Sequence, residues 1–336
     1  MSATKNIIPA ASFKSSTTQS SIELHITGGV RAFGDQPRLW KLHPVIVDGS
    51  VHALAPAPIN RIHAMAEDVG LVLFGGDQWS GLETLLPART WTPLDGPNAP
   101  GFQPADLWGV IAGNAYEAGD KQYAMLAKHI SFSLHAAGMR LRDASDGYRA
   151  QLLNALAENR STGSRFANIP MRDLQLAFHA VLSELASARD YFAAALAMKL
   201  GAPAKIDAMN RFADWLGAVS RKDLRTNVVV AQMLAAYDSS SADPWLWQLT
   251  ECRNLFLHRR PFGSDEKPQF LTYEVVSSAG VDYPRIALPL SDGDPSAPGQ
   301  DALARFIVLY RAMTSLGKLA ADNAPYAADP PLFTVK

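Results

Sequence analysis

The chain has 336 residues, of which 48% are hydrophobic and 19% charged, and a formal net charge of −1. That length can bury a sizeable core, and the near-zero charge argues against indiscriminate binding to phosphate backbones. No apolar run of about eighteen residues is free of charge, so no membrane-spanning segment is expected.

A single cysteine, Cys252, excludes an internal disulfide framework, and its apolar neighbours mark it as a small packed hydrophobe rather than a nucleophile. The eight histidines include no pair at helical ligand spacing, so neither a metal nor a cofactor is expected. Residues 1–20 are Ser/Thr-rich and read as a disordered tail without an apolar signal core, which makes the cytoplasm the default location.

Residues 21–115 read as a small α+β region. Ile22 to Ile26 alternates like a strand, and the runs Trp40 to Val47 and Val51 to Leu54 flank Asp48-Gly49 as a hairpin. A short helix over about 58–68 and a strand over 71–74 follow, with Gly75-Gly76-Asp77 read as a simple turn. The Pro/Gly-rich stretch 93–104 reads as the linker that closes this region.

Residues 116–325 carry long helical patterns: 123–159 with a break at Ser145-Asp146-Gly147, then 170 to about 200, 204–219, 224–237, 243–260 and 301–322. A strand pair at about 269–290 interrupts them. The expected fold class is mainly α, an antiparallel helical bundle with a β-hairpin decoration and the small N-terminal α+β region. A basic cluster, Lys199, Lys205, Arg211, Arg221, Lys222 and Arg225, reads as solvated helix faces.

Chemistry concentrates in Arg253-Asn254-Leu255-Phe256-Leu257-His258. Arg offers a planar fork of donors to a phosphate, and His moves protons near neutral pH. On an α-helix, at about 100° per residue, positions 253 and 258 stand roughly 140° apart. Convergence therefore needs a long Arg reach, a distorted or ending helix, or a second copy of the segment.

This Arg-Asn-x-x-x-His segment on a late helix resembles the HEPN superfamily of helical nucleotide-binding and ribonuclease domains found in defence and toxin systems. The resemblance covers about 122–322. It implies an HEPN-like bundle, a homodimer, a possible regulatory protein partner, and metal-independent cleavage of an RNA substrate by 2′-hydroxyl attack.

Under that resemblance His258 is the general acid or base, Arg253 stabilises the phosphorane-like transition state, and Asn254 orients His258 or the phosphate. Glu184 or Asp190 is expected to hold Arg253, and Arg259, Arg260 and Lys267 to bind RNA. Where HEPN toxins regulated by nucleotidyltransferases carry a modified Tyr two residues after the His, this chain has Arg260. The alternative is a non-catalytic HEPN-like module that senses nucleotides or binds a protein.

Overall fold

The computed structural model describes residues 21–36, 38–81, 86–95, 102–259, 269–290 and 300–329, with backbone alone at 35–36 and 257–259. Among these residues stand ten strands, in two five-stranded antiparallel sheets, and eight α-helices. The fold is therefore α+β, which corrects the expectation of a mainly α bundle. The physical reason is range: strand pairing joins segments that no local pattern connects.

The first sheet contains β1 (Ser21–Ile26), β2 (Arg31–Gln36), β3 (Leu39–His43), β6 (Leu73–Ser80) and β7 (Ala88–Pro93) in the order β3-β2-β1-β6-β7. Gly75-Gly76-Asp77 lies within β6, with Leu24 opposite Gly76, and is no turn. Gly75 keeps this strand clear for its neighbour, because a Cβ there would sit 2.0 Å from the Trp91 ring. The strand expected at Ile22 to Ile26 is present as β1, and Leu24, His25 and Ile26 are all buried, so its end is covered on both faces.

The second sheet contains β4 (Val45–Val47), β5 (Ser50–His52), β8 (Arg165–Phe166), β9 (Leu271–Ser278) and β10 (Val281–Ala287) in the order β5-β4-β10-β9-β8. Asp48 (φ 50°) and Gly49 (φ 75°) form the two-residue turn of the expected β4–β5 hairpin. Asp282 pairs with Ile46, so a hairpin from the start of the chain and one from near its end share a sheet. The passage between the two sheets falls at the cis His43–Pro44 bond.

The helices follow their apolar period more closely. They are α1 (Ile59–Asp68), α2 (Pro104–Glu117), α3 (Lys121–Ala157), α4 (Met171–Lys199), α5 (Met209–Leu216), α6 (Val228–Tyr237), α7 (Trp245–Arg253) and α8 (Ala302–Asp322). The α3 helix runs unbroken through Ser145-Asp146-Gly147. Gly147 has a packing role there, since a Cβ would lie 3.2 Å from Leu174 of α4.

Asn227 caps α6 by accepting from the amides of Val229 and Val230, and Asp301 caps α8 through Ala304. The Asp301 carboxylate also accepts from the Tyr148 hydroxyl at 2.6 Å, which ties α8 to α3.

One hydrophobic cluster runs from Leu24 to Ala321 and joins sheets and helices. Phe178, Phe192 and Phe306 are buried in it, each contributing about 1.5–3 kcal/mol by leaving water. Trp108 donates its indole N–H to the Gly317 carbonyl at 2.9 Å and seals α2 against α8. A 3-10 turn, Thr27–Gly29, abuts α3: Gly29 has φ +87°, and a Cβ there would lie 2.5 Å from the Tyr148 carbonyl oxygen. No helix among the described residues is long and apolar enough to cross a membrane.

Candidate functional site

The Arg253 to His258 segment falls where the helix changes type. α7 ends at Arg253, and Asn254–Arg259 continues as a π-helix. Such turns close by i→i+5 hydrogen bonds and advance fewer degrees per residue than an α-helix. At about 4.4 residues per turn a step of five overshoots one revolution by about 50°, against about 140° on an α-helix, so backbone positions 253 and 258 come nearer to one side of the helix. The helix distorts at the motif itself.

Arg253 and Asn254 are both half-buried. Neither side chain has a hydrogen bond or ion pair among the described residues. A guanidinium left open in this way is available to an anionic ligand. The side chains of His258 and Arg259 lie outside the described residues, as do Arg260 and Lys267 altogether. Cys252, beside Arg253, is half-buried.

Asp190 belongs to a different pair. Arg189 forks onto it through Nε at 2.9 Å and Nη2 at 3.0 Å, and Asp190 also accepts from the Met209 amide at 3.1 Å. Glu184 is half-buried on α4 and pairs with no described residue. The expectation that Glu184 or Asp190 holds Arg253 is thus corrected: the nearer guanidinium of Arg189 takes Asp190.

The remaining edge of Arg189 donates to Thr250 Oγ1 at 2.7 Å, so the ion pair docks α7 and the start of α5 onto α4. Arg305 of α8 bonds to Gln248 on the same helix. The motif helix is therefore anchored from two sides. Within the first basic cluster Arg211 pairs with Asp207 at 2.8 Å, and Arg221 lies 4.6 Å above the Trp215 ring.

A second concentration of charge, absent from the sequence reading, lies where the first sheet meets α3. His25 Nε2 is 2.9 Å from Asp77 Oδ2, and Arg89 donates to the same oxygen through Nε at 2.8 Å. Arg89 also reaches Asp146 at 2.7 Å, and Arg31 reaches it at 3.2 Å. His25, Asp77 and Arg31 are buried, and the Trp91 ring stands edge-on to His25 at 4.9 Å.

Burial, with help from the Arg31 charge, pushes the His25 pKa down to about 4 despite the Asp77 bond. Burial opposes charge on Asp77, but the bonds from His25 and Arg89 outweigh it and hold that carboxyl below its ordinary range. Burial also lowers Arg31 to about 10. Neutral His25 therefore carries its proton on Nε2 toward the carboxylate, which leaves Nδ1 bare.

Ligand-type atoms of His25, Asp77 and Asp146 lie within 4.8 Å of one another. A divalent cation there would face both guanidiniums, and Arg89 already bridges the two carboxylates. The cluster is better described as an ion-pair network that joins sheet to helix. The available sequence signal was an Asp inside a strand, a residue type that strands disfavour.

Comparison of the chain with protein-family models, with curated proteins and with solved structures finds no match in any of the three.

Proposed function

We propose that the chain is a metal-independent endoribonuclease built on Arg253, Asn254 and His258, the activity that the HEPN resemblance implies. The observation that carries this reading is the π-helical turn beginning at Asn254, which brings positions 253 and 258 nearer to one side of the helix. Such turns concentrate at functional sites because they are otherwise unfavourable. The unpaired Arg253 guanidinium supports the same reading. The reading rests on this segment and not on the overall fold.

In this reaction His258 takes the proton of a ribose 2′-hydroxyl, and the freed oxygen attacks the adjacent phosphorus. Arg253 stabilises the added negative charge of the phosphorane. The bond to the 5′-oxygen breaks, and His258 of a second copy in a homodimer returns a proton to it. The products are a 2′,3′-cyclic phosphate and a 5′-hydroxyl. Asn254 orients the phosphate.

The test is cleavage of single-stranded RNA by the full chain in EDTA. His258→Ala is expected to lower the rate by about 10²-fold or more, with an unchanged melting temperature and cyclic phosphate ends in the wild-type product. Equal activity in the variant overturns the proposal. Calorimetric nucleotide binding without cleavage by the wild type assigns the site to the non-catalytic reading.

A further inference from the structure

A cleft between β7, the start of α2 and α8 encloses about 190 Å³. It adjoins a second hollow of about 220 Å³ that shares Trp91, Gln103 and Thr314 as walls. For scale, a dry cavity of about 150 Å³ admits benzene. Phe74, Leu141 and Ile307 supply an apolar wall.

Three buried nitrogens of residues lining this cleft have no hydrogen-bond partner among the described residues: Trp91 Nε1, Gln103 Nε2 and Arg311 Nε. All three are N–H donors. Leaving buried donors unpaired is costly, and three around one hollow specify what would satisfy them, a group rich in acceptor oxygens.

Arg311 is held in place by donating through Nη2 to the carbonyls of Leu73 at 3.0 Å and Leu94 at 3.1 Å. The Asp95 carboxylate lies 3.4 Å from Arg311 Nε without forming a hydrogen bond, and its side chain is largely exposed. It is therefore free to turn to solvent. The positive end of the α2 dipole, at Pro104, adds to the preference for negative charge.

We propose that this cleft binds a small organic anion. Its apolar body packs against Phe74, Leu141 and Ile307, and its carboxylate or phosphate headgroup accepts from Trp91, Gln103 and Arg311 once these side chains shift to present N–H groups that lie behind the cleft wall in this structure. None of these residues belongs to the Arg253–His258 segment, so the proposal stands apart from the ribonuclease reading.

The experiment is titration calorimetry of the full chain with phenyl phosphate, phenylacetate and neutral benzyl alcohol. At least one anion is expected to bind about tenfold or more tightly than benzyl alcohol. If phenyl phosphate is the tighter, the headgroup is a phosphate; if phenylacetate is, a carboxylate.

Gln103→Ala and Arg311→Lys are each expected to weaken the anion about tenfold and leave benzyl alcohol unchanged. Thr314→Phe, which fills the hollow without touching a donor, is expected to abolish binding of both. The proposal is overturned if neither anion binds, if benzyl alcohol binds equally well, or if folded Gln103→Ala and Thr314→Phe proteins keep wild-type affinity.

Discussion

Arg189 Nη1 donates to Thr250 Oγ1 at 2.7 Å while its other edge holds Asp190, so one buried guanidinium fixes the helix that ends in Arg253. Thr250 passes its own proton to the Leu246 carbonyl at 2.8 Å. Thr250→Val keeps the shape, removes the acceptor and leaves one charged N–H unpaired. The expected loss of stability is about 1.5–3 kcal/mol in urea denaturation. A loss below about 0.5 kcal/mol would mean that this bond does not hold α7.

The π-helical register at Asn254–Arg259 makes a prediction that ordinary substitution does not reach. Deleting Leu255 shortens the segment by one residue and lets it close as an α-helix, in which Arg253 and His258 are four positions apart and stand about 40° from each other on one side. Helical content by circular dichroism is expected to stay near wild type, and RNA cleavage to stay within about tenfold of it, because the two side chains keep one face. Loss of cleavage by about 10²-fold or more in a folded deletion variant would sink the geometric argument for the site.

His25 predicts the acid response of the fold. In the unfolded chain it takes up a proton as pH falls through about 6.5. In the native state burial and the Arg31 charge delay that uptake to about 4. Between those values the unfolded state binds more protons, so stability rises with pH.

The His25 contribution is complete above about pH 6.5 and is lost progressively toward pH 4, amounting to about 3 kcal/mol in full. Roughly half of that dependence falls between pH 5 and 6.5. Urea midpoints for His25→Gln across that window are expected to be flatter than wild type by this amount. An unchanged slope would show that another group carries it.

Gly75 and Trp91 form a steric pair, since a Cβ on Gly75 meets the indole ring at 2.0 and 2.2 Å. Gly75→Ala is expected to cost about 3 kcal/mol, because the ring must leave its place against His25. Trp91→Leu makes room, so the double variant is expected to lose less than the sum of the two single losses. Simple additivity in chemical denaturation would refute the contact.

The helical spans were largely legible in the amino-acid order because a helix is a local object. Leu174, Phe178, Val181, Leu182 and Leu185 repeat with the helical period, and all are buried on α4 as that period demands. The Asp48-Gly49 hairpin was readable for the same reason. The strands β2 and β7 were not, since their evidence lies in partners elsewhere in the chain. The charged cluster was hidden in the same way, with Asp77 standing 52 residues from its partner His25.

By itself the sequence determined the helix periods, the Asp48-Gly49 turn and the order Arg253-Asn254-x-x-x-His258, each written in neighbouring residues. Tertiary structure alone decided that the two hairpins share a sheet and that Arg189 reaches Thr250. It also gathered the orphaned donors of Trp91, Gln103 and Arg311 around one hollow. These depend on which distant surfaces exclude water together, and burial acts through space rather than along the chain.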